Sequence, residues 1–372
     1  MNLNALCGSK KDIQMKKIIF GVLAVIMYLS PVYSQSNENK VDSIMSSYYG
    51  QNTPSVGVLV IKDGQTVVKK AYGYANLEDK EKATPETNYN LGTLSEQFVV
   101  MSALILKEQQ KLDVKSALTD HFPELPEFYN QVTIQNLMKH NSGLPVLSRV
   151  DFQKDIKDQS DLLNILGSHQ ELKYQPGKKS NWNVINFALL ASVVENNTDN
   201  PLHKFIEKNI FKPLRMENSK VYRKGWFFSV PDKSFGYRRL QNQQYEKTTL
   251  SVNDYIPGTN GIYSNLNDME KWMKAWKSDI LIPKQTLSSI KRINFVRGQK
   301  EFLGYGWKQG FNSGNKYFYS GGLSAGNTHI ILHFPTAGID VVVLSNQSSL
   351  FNMRENAFKL LNLFSEDTYE VK

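Results

Sequence analysis

Apolar residues fall into strand-like runs near both ends of the chain and into helix-like rows between them. Ser55 to Lys62 and Thr66 to Tyr72 are rich in Val, Ile and Thr, with Asp63-Gly64 between them. That dipeptide accepts the positive φ angles of a tight turn, so the pair predicts a β-hairpin. From Phe98 to Gln110 the spacing changes, and Phe98, Met101, Leu104 and Ile105 recur at helical intervals. This segment is apolar on several sides, which predicts a buried helix. Val41 to Tyr49 predicts a shorter helix upstream.

Helical rows dominate from Val114 to Asp279: Thr133 to His140, Ser160 to Leu166, Asn183 to Asn196, His203 to Ile210 and Asn267 to Ala275. Asn267-Asp268 ahead of Met269 has the character of a helix start. Strand signals return at Gly304 to Gly310, Lys316 to Tyr319, Asn327 to Phe334 and Ile339 to Leu344, with Thr336-Ala337-Gly338 turning the last two. Phe351 to Phe364 predicts a closing helix. The order predicts an α+β fold, with one antiparallel sheet drawn from both chain ends, flanked by helices, and a mostly helical insertion. The α/β part is expected at about 41–112 and 295–366 and the insertion at about 113–294, within a domain spanning 35–370. No repeat of fixed period and no low-complexity tract interrupts this order.

The N-terminus reads as an export signal over 1–34. Met15-Lys16-Lys17 supply positive charge, Ile18 to Leu29 an apolar core, and Val32-Tyr33-Ser34 a cleavage site before Gln35; Met15 is an alternative start. That apolar run is short for a bilayer span, so a secreted or periplasmic protein without a stable membrane span is expected. Cys7 is the only cysteine and lies upstream of the signal, which excludes disulfides and thiol catalysis from the mature chain. Four lysines and one aspartate lie within 1–34, so the formal charge falls from +9 to +6 on processing. The remaining bases are scattered among acids, with no basic stripe interleaved with aromatics, so no nucleic-acid partner is expected. His329 and His333 share a strand face at a separation poorly suited to one metal, and no metal or other cofactor is implied.

The segment Asn90-Leu91-Gly92-Thr93-Leu94-Ser95-Glu96-Gln97-Phe98 resembles the nucleophile region of the β-lactamase-related serine hydrolases, the group of class C β-lactamases, D-alanyl-D-alanine peptidases and related esterases. Further matches follow in order. They include Ala71-Tyr72-Gly73-Tyr74-Ala75-Asn76, Lys111-Leu112-Asp113, His140-Asn141-Ser142-Gly143-Leu144-Pro145, Pro176-Gly177, Lys212-Pro213-Leu214, and Gly261-Ile262-Tyr263-Ser264 with Asp268. The resemblance implies a serine β-lactamase or penicillin-binding transpeptidase-like fold from about Val41 to Phe364.

It also implies three catalytic positions, and all three are altered. The family pattern Gly-Ser-x-x-Lys-x-Phe retains Gly92 and Phe98, but Thr93 replaces the serine and Glu96 the lysine. A carboxylate brings negative charge to a site where negative charge must develop, and an ordinary glutamate is a weak base. The family's Tyr-x-Asn becomes Trp182-Asn183-Val184. An indole N–H donates only, and valine does neither. At the third position, His-x-Gly or Lys-Thr-Gly, this chain carries Tyr319, followed by Gly321 and Gly322. Those glycines allow backbone to approach a ligand, and the N–H groups of Thr93 and Gly322 are the expected oxyanion donors.

Thr93-x-x-Glu96 also fits a capping box, in which the former catalytic pair starts a helix. Gly322-Leu323-Ser324-Ala325-Gly326 matches a nucleophile elbow, yet a strand rather than a helix is expected after it. Ser288-Ser289-Ile290-Lys291 and Ser313-Gly314-Asn315-Lys316 match Ser-x-x-Lys literally, without the buried helix that motif requires. The expectation is a catalytically impaired member whose cleft binds a small peptide, a cell-wall fragment, an acyl ligand or a partner. The alternative is an active hydrolase cleaving an ester or amide through an acyl-enzyme.

Overall fold

The computed structural model describes residues 37–46, 49, 52–147, 159–222, 229–249, 258–291, 302–348 and 353–371. The expected leader lies outside them. Residues 37–46 form a helix in an N-terminal unit of their own, and the rest of the description concerns the unit from Tyr49 onward.

Seven strands form the main sheet: β1 (Val56–Lys62), β2 (Gln65–Tyr72), β3 (Phe302–Gly304), β4 (Trp307–Asn312), β5 (Asn315–Ser324), β6 (Asn327–Phe334) and β7 (Ile339–Ser345). Their spatial order is β3-β4-β5-β6-β7-β1-β2, every neighbour antiparallel. Both chain ends thus meet where β1 pairs with β7, Val56 opposite Ser345. β1 is buried nearly throughout, as its unbroken apolar run requires. The hairpin turns at Asp63 and Gly64, whose φ angles are 49° and 81°.

Helix α1 (Glu96–Glu108) is buried from Glu96 to Leu106. Helix α2 (Val184–Asn196) is buried from Val184 to Val194, and α3 (Leu266–Ala275) closes the core against α1. Phe98 of α1 stacks on Trp272 of α3 at 4.0 Å between ring centres. Gln97 is buried with both ends satisfied: its Oε1 accepts from Trp272 Nε1 at 2.9 Å, and its Nε2 donates to Gly306 O at 3.1 Å. A side chain of Phe or Leu size taken out of water contributes roughly 1.5–3 kcal/mol, so the buried rows of α1 and α2 are a substantial part of the core. On the opposite face of the sheet lies α4 (Met353–Asn362), where Phe358 meets Tyr317 and Phe334 edge-on.

Three local details depart from the sequence expectations. α3 is capped by Asn265, whose Oδ1 accepts from the Asp268 N–H at 2.9 Å, rather than by Asn267. The helix expected at His203 to Ile210 runs as α over Leu202–Ile206, widens to a π-turn over Glu207–Phe211 and continues over Lys212–Leu214. A small sheet also sits within the sequence stretch expected to be helical: Ile262–Ser264 pairs with Tyr89–Asn90 and with Lys220–Val221. This sheet fixes the segment that leads into Thr93.

Candidate functional site

Thr93 lies in a 3-10 turn, Gly92–Ser95, that feeds into α1. Two bonds hold this turn on the small sheet: Leu91 N–H donates to Ile262 O at 2.8 Å, and Ile262 N–H donates to Ser95 Oγ at 3.3 Å. Below it, His329 is fully enclosed. Its Nδ1 accepts from the Ser345 N–H at 3.2 Å, so its proton is on Nε2, which donates to Asn90 O at 2.6 Å. Burial pushes this imidazole down to about 4, and it is a neutral strut between β6 and the Thr93 segment.

The turn and β5 come together at two glycines. A Cβ on Gly92 would lie 2.3 Å from Leu323 O, and one on Gly322 would lie 2.4 Å from Leu91 O. Gly92 also has φ +55°. Gly321, by contrast, is exposed, and the nearest heavy atom to its Cβ position is His329 O at 3.8 Å. Gly322 is thus the glycine that the chain itself packs against, while Gly321 has open space beside its backbone.

Strand parity settles the third position. Gly322 faces Leu91 and Leu94, so Ser320 and Phe318 share that face. Tyr319 is on the other face, stacked on Tyr317 at 5.7 Å with the Arg354 guanidinium 4.6 Å from its ring centre. The side chain presented toward the Thr93 side is Ser320, not Tyr319. The same parity turns the Gly322 N–H toward β6, where Gly322 lies opposite His329. The edge group on the site side is the Leu323 N–H. It replaces Gly322 as the companion of the Thr93 N–H in any oxyanion hole.

That edge group is already engaged. The Thr93 hydroxyl donates to Gly321 O at 3.1 Å and accepts from the Leu323 N–H at 3.3 Å. Both partners are backbone groups of β5, and neither is a base. The capping box is not formed: Ser95 caps α1 with helical φ and ψ and no side-chain bond, because Thr93 already sits inside the preceding turn.

Glu96, one turn further on, is buried and joins two other segments. Its Oε1 accepts from Trp182 Nε1 at 3.0 Å, and its Oε2 lies 3.4 Å from His140 Nε2. His140 Nδ1 accepts from the Asn183 N–H at 3.3 Å, so the ring proton is on Nε2 and points at the carboxylate. Trp182 is 45% exposed and lies at the rim. Asn183 caps α2 through the Ile185 N–H and donates to Leu144 O and Pro145 O. Val184, where the resemblance places an asparagine, is the first residue of α2 and belongs to the apolar core. The structure thus brings Thr93, Glu96, Trp182, Gly321 and Gly322 to one site and leaves Tyr319 and Val184 turned away. Sequence reading missed the Glu96–His140 contact and the face on which Ser320 lies; alternation counted from the large apolar Phe318 carries the signal for the latter.

Two of the rival motifs are in the wrong setting. Ser324 is followed by a turn and β6, not by a helix, and Ser313 lies in the turn between β4 and β5. Among the described residues no group of three or more His, Cys, Asp or Glu could hold a metal. No described helix is long and apolar enough to cross a membrane.

A sheet assembled from both chain ends, with a buried helix leading from the nucleophile position, defines the architecture of the penicillin-binding proteins and serine β-lactamases. Solved structures share it. The penicillin-binding protein homologue of Pyrococcus abyssi superposes with a TM-score of 0.76 at 22% identity over 88% of this chain and 77% of its own. FmtA from Staphylococcus aureus superposes at 0.72 with 18% identity, covering 91% of each chain. A family model described as Beta-lactamase matches residues 38–363, and the chain belongs to that family. Among curated relatives, protein Flp of Staphylococcus aureus is 25% identical over 333 residues, and the putative penicillin-binding protein PbpX of Bacillus subtilis is 24% identical over 337. The match takes in 85% of this chain and 64% of Flp, and 86% of this chain and 78% of PbpX.

Proposed function

We propose that this protein is an exported, catalytically impaired member of the family that binds a small peptide or peptide-bearing cell-wall fragment in the inherited cleft. One observation carries the reading: the Glu96 carboxylate is bonded to the Trp182 indole N–H, while the Thr93 hydroxyl is bonded to β5 backbone. In the family's scheme the lysine shares protons with the nucleophile and with a tyrosine. Here the Glu96 carboxylate is engaged by the Trp182 and His140 N–H groups, the Thr93 hydroxyl donates to Gly321 O rather than to it, and an indole cannot accept a proton, so the family's relay from the nucleophile is interrupted. Loss of nucleophile or base in a comparable serine hydrolase lowers turnover about a million-fold, leaving roughly 10³–10⁴ over water from binding and the oxyanion hole.

The rim supports a ligand with apolar parts. Trp182, Val146 and Leu323 are exposed at 45%, 42% and 61%. Leu323 adjoins Thr93, Trp182 adjoins Glu96, and Val146 follows a carbonyl held by Asn183. Export rests on the leader-like 15–34.

The test is a pair of covalent probes. Mature protein is incubated with a fluorescent penicillin and with a fluorophosphonate, and the intact mass is read. Unchanged mass, together with saturable non-covalent binding of a cell-wall peptide, is the expected result. An adduct on Thr93, or enzyme-like hydrolysis of a chromogenic cephalosporin or short acyl ester, would instead establish the active-hydrolase alternative.

A further inference from the structure

A second cavity lies beyond the C-terminal end of α1, about 20 Å of helix away from Thr93. Its volume is about 650 Å³, within the size range of small-molecule sites. Lys204, Lys208 and Lys212 line it, and Lys111 joins them just past the end of α1. Phe205, 6% exposed, is its apolar lining residue.

The lysines at 204, 208 and 212 are four residues apart on one continuous helical segment. In a regular α-helix each such step drifts by about 40° around the axis. The π-turn at Glu207–Phe211 uses more residues per turn and swings the row back, so the three ammonium stems keep to the cavity side. Such wide turns are uncommon and frequent at functional sites. Like charges at this spacing repel, and none of the four lysines forms an ion pair with a described residue.

The charges do not cancel. Glu207 is the single acid lining the cavity. The C-termini of α1 and α2, at Gln109 and near Thr198, add about half a negative charge each. Against four ammonium groups this leaves about two positive charges. A phosphate monoester carries about −1.5 to −2 at neutral pH, and clustered lysines suit phosphate as point charges. The cavity has room for an organic body beyond the phosphate, with Phe205 to meet it.

We propose that this cavity is a binding site for organic phosphates, separate from the cleft at Thr93. The phosphate belongs either to a free small molecule or to a unit of a phosphate polymer, and the two are distinguished by probe. The full-length mature protein is titrated by calorimetry with glycerol 3-phosphate and with long-chain polyphosphate. A triple variant, Lys204→Ala, Lys208→Ala and Lys212→Ala, is compared with a charge-matched control, Lys82→Ala, Lys284→Ala and Lys359→Ala, each from an exposed lysine. Saturable binding of glycerol 3-phosphate that weakens at least tenfold in the first variant and not in the control supports the site with a small-molecule source. Saturable binding of polyphosphate alone, with the same variant dependence, supports it with a polymeric source. Absence of binding to both probes, or equal weakening in both variants, overturns the proposal. Should the triple variant fail to fold, Lys208→Gln is read in its place, with at least threefold weakening expected and unchanged affinity overturning the proposal.

Discussion

Trp182 Nε1 donates to Glu96 Oε1 at 3.0 Å across 86 residues of sequence. Glu96 is buried while Trp182 is half exposed. The bond therefore ties the base of the cleft to its rim, and it exists because the two altered positions are complementary: one can only donate and the other accepts. A lysine opposite an indole would have left two donors facing each other.

This pairing makes Glu96 a structural residue. Glu96→Ala would strand the His140 Nε2–H, which is fully enclosed, whereas the freed indole N–H can turn to water. An unsatisfied buried donor costs about 1–3 kcal/mol, so urea denaturation should show a loss of about that size. Trp182→Phe leaves the buried Glu96 Oε1 without its donor and should cost a similar amount, about 1–3 kcal/mol. In a double-mutant cycle the two changes should be non-additive; strict additivity would mean the bond is not formed in solution.

Thr93→Val removes the hydroxyl and keeps the shape. Its two partners are backbone groups at an accessible edge, so water can replace it, and stability should move by less than about 1 kcal/mol. Saturable peptide binding should persist. A complete loss of a measurable hydrolysis in this variant would identify Thr93 as a working nucleophile.

The neighbouring glycines of β5 should behave differently. Gly321→Ala meets open space and should be tolerated, whereas Gly322→Ala drives a methyl into Leu91 O and the Leu94 side chain and should cost about 1–3 kcal/mol. Thermal melts of the two variants check the face assignment that puts Ser320, and not Tyr319, on the Thr93 side. Equal melting points would reverse it.

Acid should loosen the site through His329. Its folded-state value is near 4, below the ordinary 6.5 of an exposed histidine. Above 6.5 neither state is protonated there, and the full stability is present. As pH falls from about 6.5 to 4 the unfolded chain takes up the proton first, and on the order of 3 kcal/mol is lost. His121 and His203 are also lowered by burial and act in the same direction more weakly. His329→Gln should be less stable at pH 7 but should lose less between pH 6.5 and 4.5; parallel melting curves for the two proteins would contradict this.

Restoring Thr93→Ser, Glu96→Lys, Trp182→Tyr and Val184→Asn together should raise hydrolysis of a short acyl ester above that of the unaltered protein. A folded variant with no gain would show that these four positions are not the determinants of the impairment.

The sequence by itself determined what local patterns can determine. Val-, Ile- and Thr-rich runs around Asp63-Gly64 gave the first hairpin, and all-round apolar rows gave α1 and α2. The order of elements gave a sheet drawn from both chain ends, and the residue types at Thr93, Glu96 and Trp182 already departed from the family's catalytic pattern. Tertiary structure decided which atoms meet. Strand parity turned Tyr319 toward Arg354 and Ser320 toward the Thr93 side, and a one-residue offset in reading that strand exchanges its two faces. The capping expectation failed for a related reason: hydrogen-bond partners from 44, 86 and 228 residues away claimed Glu96 and Thr93 before their own helix could. Contacts across such separations depend on how distant strands and helices pack, and no local window of sequence carries that information.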